Sequence, residues 1–292
     1  MMSRLLRGKL LGLALVLPAI AFLAAFFVWP VLQMIALSVT RQNVDGALID
    51  GLTLNNYVRL FSNDLYFRVL LRTLRIAALS SLVAVVLAYP LAIAIARGGP
   101  GLARLVTLTL VAPLLVNVVV RSYGWSAILN NTGALAYLLK VTGLSAKPLP
   151  LLYTEWAVLI ACVHVYLPFV AMPIATAIAR IDGSVEDAAR VAGASRLMTF
   201  LRITFPLSLP GLAVGASLVF SLTAAAYVMP QILGGNFSPL LGTLIEQQVL
   251  TLNDWPFGAA ISTLLIIVVL TVNLVFIGLL SRRFSRWTGA AT

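Results

Sequence analysis

The chain holds one histidine, His164, and one cysteine, Cys162, in 292 residues. Zinc is ordinarily held by three or four Cys, His or carboxylate ligands, and a nucleophile needs a base beside it. One imidazole, one thiol and no HExxH motif argue against either chemistry. The GxxxxGK[ST] phosphate loop is also absent from the sequence, so no catalytic residue, metal site or bound cofactor is expected. What remains is a handful of polar or aromatic residues in apolar surroundings: Asn117, Trp125, His164, Tyr166, Tyr227, Gln231 and Asn273. Such groups can hydrogen-bond a small hydrophilic solute, and the rings of Trp125 and Tyr227 can hold a cation over their faces. Tyr227 and Gln231 stand four apart, which on a helix is one face. This is the chemistry of a path, not of a reaction. An equally simple reading makes His164 a neutral imidazole bonded to a neighbouring helix, treats Asn117 and Asn273 likewise, and makes the aromatics interfacial anchors.

A second constellation lies between Ala179 and Pro206, in ARIDGSVEDAARVAGASRLMTFLRITFP. Ser184 is placed to cap a helix, with Asp187 three residues on in capping-box spacing. Glu186 and Asp187 put negative charge in its first turn, where the helix dipole favours it, and Gly193 stops it. Val185 to Ala192 is 8 residues, about 12 Å of helix. A helix that short does not persist alone in water, so it needs something to dock on. Ala188 and Ala189 allow close backbone approach, while Glu186, Asp187 and Arg190 offer charged contacts at a rim. A further helix follows from about Arg196, capped by Ser195. The competing reading lays this loop on a membrane surface through Arg190, Arg196 and Arg202.

The elements that position these residues are membrane spans. The chain is 61% hydrophobic and 10% charged, with mean hydropathy +1.03, against roughly 25% charged in a soluble domain. Charge-free runs are long enough to cross a hydrocarbon core of about 30 Å. The pattern predicts an all-α polytopic protein forming one transmembrane domain over 1–292, with six spans near 10–40, 70–96, 104–124, 155–180, 206–233 and 256–281 and a connecting loop over 181–205. Arg4, Arg7 and Lys9 before the first span read as an uncleaved signal anchor. The formal charge of +11 would suggest nucleic acid in a soluble protein. Here it divides by side as +9 with the termini and the 181–205 loop, and +2 opposite. The positive-inside rule then puts both termini in the cytoplasm, and the nucleic-acid reading falls away.

The loop resembles the signature of permease subunits of binding-protein-dependent ABC importers. That signature is an acid and two alanines, a glycine four residues after the second alanine, and nine residues later Ile-x-Leu-Pro. Here it runs Asp187-Ala188-Ala189, Gly193, then Ile203-Thr204-Phe205-Pro206, with Asp for the usual Glu and Phe for Leu. Arg121-Ser122-Tyr123-Gly124-Trp125, Tyr166-Leu167-Pro168-Phe169, Leu233-Gly234-Gly235 and Asp254-Trp255-Pro256-Phe257-Gly258 are similar to the spermidine/putrescine branch. The resemblance covers the chain from about the second span onward.

The resemblance implies a type I ABC importer permease fold in a bacterial inner membrane. It makes the loop a cytoplasmic coupling helix, with Glu186, Asp187, Ala188, Ala189, Arg190, Gly193 and Ser195 as its ATPase-coupling residues. It implies a non-catalytic subunit beside a second, related permease, two ATPase subunits that use ATP and Mg, and a periplasmic binding protein. The solute would be a polyamine or, alternatively, an opine, a phosphonate or an amino-acid-like compound. Arg41, Arg59, Arg68, Arg72 and Arg75 on the outer side favour the alternatives, because an entering polycation would meet them. An ion-coupled transporter or channel is the reading from another class; it is disfavoured because no Asp or Glu falls in the middle of a span.

Overall fold

A computed structural model describes residues 16–43, 46, 48–49, 51–143 and 149–288, with the side chains of 236 and 281–288 outside the description. In chain order the elements are α1 (Val16–Ser38), β1 (Arg41–Gln42), β2 (Leu48–Ile49), α2 (Asn55–Ser62) and α3 (Asp64–Arg97). Then come α4 (Pro100–Val111), α5 (Val118–Leu129), α6 (Ala134–Val141), α7 (Glu155–Ala179), α8 (Gly183–Val191), α9 (Arg196–Ala224), α10 (Leu241–Glu246) and α11 (Trp255–Thr288). The fold is helical and polytopic. Among the described residues α1, α3, α7, α9 and the Trp255–Leu280 part of α11 are long and apolar enough to cross a membrane. A bent pair, Pro100–Leu115 with Val118–Val141, makes a sixth if it is one broken span. The basic start of the expected anchor, Arg4, Arg7 and Lys9, lies outside the described residues.

Two expected spans change shape. The stretch over 104–124 is not one helix: its two halves meet at 104° around Val116 and Asn117. Pro113 lacks an N–H and weakens the end of the first half. Asn117 then caps the second, accepting from the Val119 amide at 2.8 Å. Arg121 closes the corner by donating Nη1–H to the Pro113 carbonyl at 2.8 Å. Likewise the helix expected to reach Leu233 ends at Ala224, and the chain restarts in a π-turn over Pro230–Gly234. Proline at the first position of that turn suits a restart, not a continuation.

The described residues divide into two compact units, one of those up to Asn63 with Ile245–Leu264, the other of Asp64–Leu244 with the rest of α11 from Leu265. In the first, β1 and β2 pair antiparallel, Arg41 opposite Ile49 and Gln42 opposite Leu48. Gln42 reaches the start of α11, its Nε2 donating to the Asn253 carbonyl at 2.7 Å and its Oε1 accepting from the Trp255 amide at 3.1 Å. Asp254 caps that helix through the Phe257 amide and pairs with Arg59 at 2.7 Å. The Arg59 guanidinium lies 3.9 Å from the centre of the Phe257 ring. The Asp254-Trp255-Pro256-Phe257 run is therefore a helix start with its own clamp.

The second unit is a core of α3, α7 and α9. Helices in lipid gain nothing from burying apolar surface against each other, so they associate by close packing and interhelical hydrogen bonds. Both devices are present. Ala84, Ala88 and Ala92 of α3 and Ala171 of α7 are fully buried. A Cβ on Gly211 would stand 2.4 Å from the Pro173 carbonyl oxygen, and one on Gly215 2.7 Å from Val170 Cα. Ser81 Oγ donates to the Ala216 carbonyl at 2.9 Å, and the Tyr89 and Ser208 hydroxyls meet at 2.9 Å. The 34 residues of α3 make about 51 Å of helix, more than the hydrocarbon needs, so its first turns can carry charge. There Arg72, at 3.0 Å, and Arg75 both grip Glu155 at the start of α7. Two of the arginines that seemed to oppose a cation are thereby partly neutralised.

Candidate functional site

The helix α8 is capped at both ends by its own sequence. Its N-cap is Asp182, not Ser184: the Asp182 carboxylate accepts from the Ser184 amide at 3.0 Å, and the helix begins two residues earlier than the capping-box spacing suggested, at Gly183 instead of Val185. That backbone hydrogen bond holds the Asp182 carboxyl below its ordinary range, with the Ser184 side chain helping. A carboxyl so lowered contributes its cap above the usual carboxylate range and loses it only as pH falls through the lowered value. The cap is therefore intact at neutral pH.

The other end explains the glycine of the signature. Gly193 has φ +89°, its amide bonds the Arg190 carbonyl at 3.0 Å, and the Ala194 amide bonds the Ala189 carbonyl at 3.0 Å. This is a Schellman closure, with Gly193 at the left-handed position. The spacing from the second alanine to the glycine is thus fixed by the turn. Nothing stands within 4 Å of a Cβ built there, so the cost of another residue is the backbone conformation alone, about 1–2 kcal/mol. Ser195 then caps α9, accepting from the Met198 amide at 3.2 Å.

Between its caps α8 has two unlike faces. Asp187, Ala188, Arg190 and Val191 are exposed, Val191 at 90%. Asp187 and Arg190 pair with each other on that outer face. Glu186 and Ala189 turn inward. The Glu186 side chain is 16% exposed, and its Oε1 accepts from Thr204 Oγ1 at 2.9 Å and from Arg97 Nη2 at 3.3 Å. Arg97 Nη2 also donates to the Ile181 carbonyl at 2.8 Å. Glu186 is thus tied to other elements of its own chain, whereas the outward-facing Asp187 beside it pairs along α8 with Arg190. Sequence reasoning missed Arg97, Thr204 and Asp182 as partners here, although Thr204 sits inside the Ile203-Thr204-Phe205-Pro206 end of the signature. The next residue, Phe205, packs its ring 5.6 Å from that of Tyr89 on α3.

The residues expected along a path are only partly brought together. Trp125 and His164 meet edge to face at 5.3 Å, and Trp125 Nε1–H donates to His164 Nδ1 at 3.2 Å. Tyr166 meets Phe169 edge to face instead, at 6.4 Å. Asn117 spends its carbonyl on the helix cap already described. Tyr227 and Gln231 lie one helical turn apart, the Tyr227 carbonyl accepting the Gln231 amide at 2.9 Å where the chain turns helical again, but this turn follows the link after α9 and is not part of the span itself. Asn273 ties helices together through Nδ2 to Ser221 Oγ at 2.8 Å. A largely apolar groove of about 700 Å³ runs between Tyr89, Phe200, Phe205, Ser217, Asn273 and Phe276. Among the described residues no three His, Cys, Asp or Glu side chains come together as metal ligands would.

Apolar helices of spanning length around a small-residue core, joined by a short helix with an exposed face, are the architecture of a polytopic membrane protein. The chain belongs to the family of binding-protein-dependent transport system inner membrane components, whose model matches residues 7–286. It is 34% identical over 262 residues to the spermidine/putrescine transport system permease protein PotB of Escherichia coli K12, covering 90% of this chain and 95% of that one. The Haemophilus influenzae PotB is 31% identical over 242 residues, 83% and 84% of the two chains. A putative 2-aminoethylphosphonate transport system permease protein, PhnU of Salmonella typhimurium, is 26% identical over 273 residues, 89% and 88% of the two chains. Among solved structures, a bacterial ABC transporter that imports the acidic polysaccharide alginate superposes with a TM-score of 0.74 at 20% identity, over 96% of this chain and 98% of that one. The alginate transporter in complex with its pentasaccharide-bound periplasmic protein gives 0.71 at 20% identity, over 94% and 95%. At that identity the likeness concerns the fold.

Proposed function

We propose that this chain is one half of the translocation path of an ATP-driven importer for a polyamine or a related small amino compound. A periplasmic binding protein delivers the solute, and a second, related permease completes the path. ATP and Mg are used by two partner ATPase subunits, which grip α8 on the cytoplasmic side, where both termini also lie. The observation that carries the reading is α8 itself: too short to stand alone, capped at both ends, and presenting Asp187 and Ala188 of the importer signature outward with Arg190 and Val191 beside them. Gly193 and Ser195 set its limits. Trp125, His164, Tyr166, Asn117, Tyr227 and Gln231 are the proposed solute contacts, with the Trp125–His164 pair as their most organised part.

The polyamine assignment is supported by relatives that cover nearly the whole chain, and by Glu155 drawing off the charge of Arg72 and Arg75. The assembled complex with its binding protein, reconstituted in proteoliposomes, is expected to take up labelled spermidine or putrescine only with ATP. Excess unlabelled polyamine should suppress that uptake, whereas 2-aminoethylphosphonate should not. The reverse pattern would transfer the assignment to the phosphonate class.

A further inference from the structure

Glu186 is the acidic residue of α8 that does not face outward, and one atom of it joins three elements. Its Oε1 accepts from Arg97, the last residue of α3, and from Thr204, in the π-turn that carries α9 into its spanning part. Through the same Nη2, Arg97 also holds the Ile181 carbonyl in the link from α7 to α8. Without these bonds α8 would hang between Gly183 at its start and Gly193 after its end, both with open space where a Cβ would be. A helix hung on two such points swivels when pulled and passes little of the pull onward.

We propose that Glu186 is a positioning residue that locks α8 to the ends of α3 and α9, so that displacement of α8 by the ATPase moves both spans as one body. The contrast with the neighbouring pair supports this. Asp187 and Arg190 are 67% and 53% exposed, and an exposed pair of that kind contributes little to rigidity. Glu186 is mostly covered, its bonds are charge-assisted and hence stronger than neutral ones, and a covered charge is less screened by salt than an exposed one. Thr204 itself is buried, 6% exposed, so its hydroxyl has few alternative partners. Force applied to the outer face of α8 therefore has a defined route into two spans.

The inference rests on the coupling role proposed for the loop, and its test separates the two. In the assembled complex in proteoliposomes, the quantity to measure is ATP hydrolysed per solute accumulated. Glu186→Gln keeps the shape and an acceptor for Thr204 but loses the ion pair; Glu186→Ala loses both. Both complexes should retain the ATPase on purification, with ATP consumed per solute rising about fivefold for Gln and tenfold or more for Ala. Arg97→Gln added to Glu186→Gln should make the ratio little worse, because the two residues act as one unit. An unchanged ratio in Glu186→Ala, additive effects of Arg97→Gln, or loss of the ATPase from the Glu186→Gln complex would each overturn the lock. Should Glu186→Ala not assemble, Glu186→Gln decides. Absence of ATP-dependent uptake by the unaltered complex would instead remove the coupling reading itself.

Discussion

Ala188→Arg is expected to reduce ATP-driven uptake to background and to strip the ATPase from the purified complex. Ala188 lies on the exposed face of α8 between Asp187 and Val191 and bonds to nothing beyond its own helix, so the substitution leaves this chain's own packing untouched. Arginine is also a good helix former. The damage falls on the docked state, in which a cleft that admits an alanine would have to accept a long side chain and desolvate an unpaired charge. Overpacking and charge burial together cost about 3 kcal/mol or more, a loss above a hundredfold in affinity. Val191→Ala on the same face is expected to weaken association less, since it removes contact without adding obstruction. Co-purification of the ATPase with tagged permease, followed by uptake, measures both. Undiminished uptake with the ATPase retained in Ala188→Arg would show that this face is not the docking face.

The second large effect is structural. Gly215→Leu, and more mildly Gly211→Ala, should prevent the α7–α9 contact from forming. The atoms that a new side chain would strike are backbone, the Pro173 carbonyl and Val170 Cα, and these cannot rotate away as a side chain would. Overpacking of this kind costs about 1–3 kcal/mol for an ordinary core and more where backbone must move. In a helix pair held by close approach there is little other stabilisation to offset it. Gly124, inside α5 with nothing within 4 Å of a built Cβ, provides the contrast; Gly124→Ala should be neutral or stabilising. The measurement is the yield and thermal stability of detergent-solubilised complex. Equal stability of Gly215→Leu and Gly124→Ala would contradict the packing described for this core.

The spans were legible in the sequence because composition alone reports them: a charge-free run of twenty or more residues has few alternatives to a membrane helix. The interruptions were harder to read. Pro113 and Asn117 are a breaker and a good N-cap in the right order, but they sit in an apolar run whose hydropathy hides the corner. Tyr227 and Gln231 keep their four-residue spacing within one turn, but the break after Ala224 sets that turn outside the span to which the sequence assigned it. At the loop, residue types and spacing specified a capped short helix, yet the cap shifts from Ser184 to Asp182, because both residue types suit the position and local pattern does not rank them. The inward turn of Glu186 had no local signal at all. Its partners Arg97 and Thr204 are 89 and 18 residues away, and Arg97 read simply as one of the basic residues that orient the chain. The signature also encodes local structure: its glycine closes a turn, and the Thr204 within its terminal motif donates to Glu186.

On the proposed function, this chain moves when a partner ATPase pulls on α8. Proteoliposomes carrying this chain and its permease partner, with binding protein supplied, should accumulate no solute against a gradient until the ATPase subunits are added, and should then do so only with hydrolysable ATP. Accumulation by the permease pair alone, with no ATPase and no nucleotide present, would contradict it.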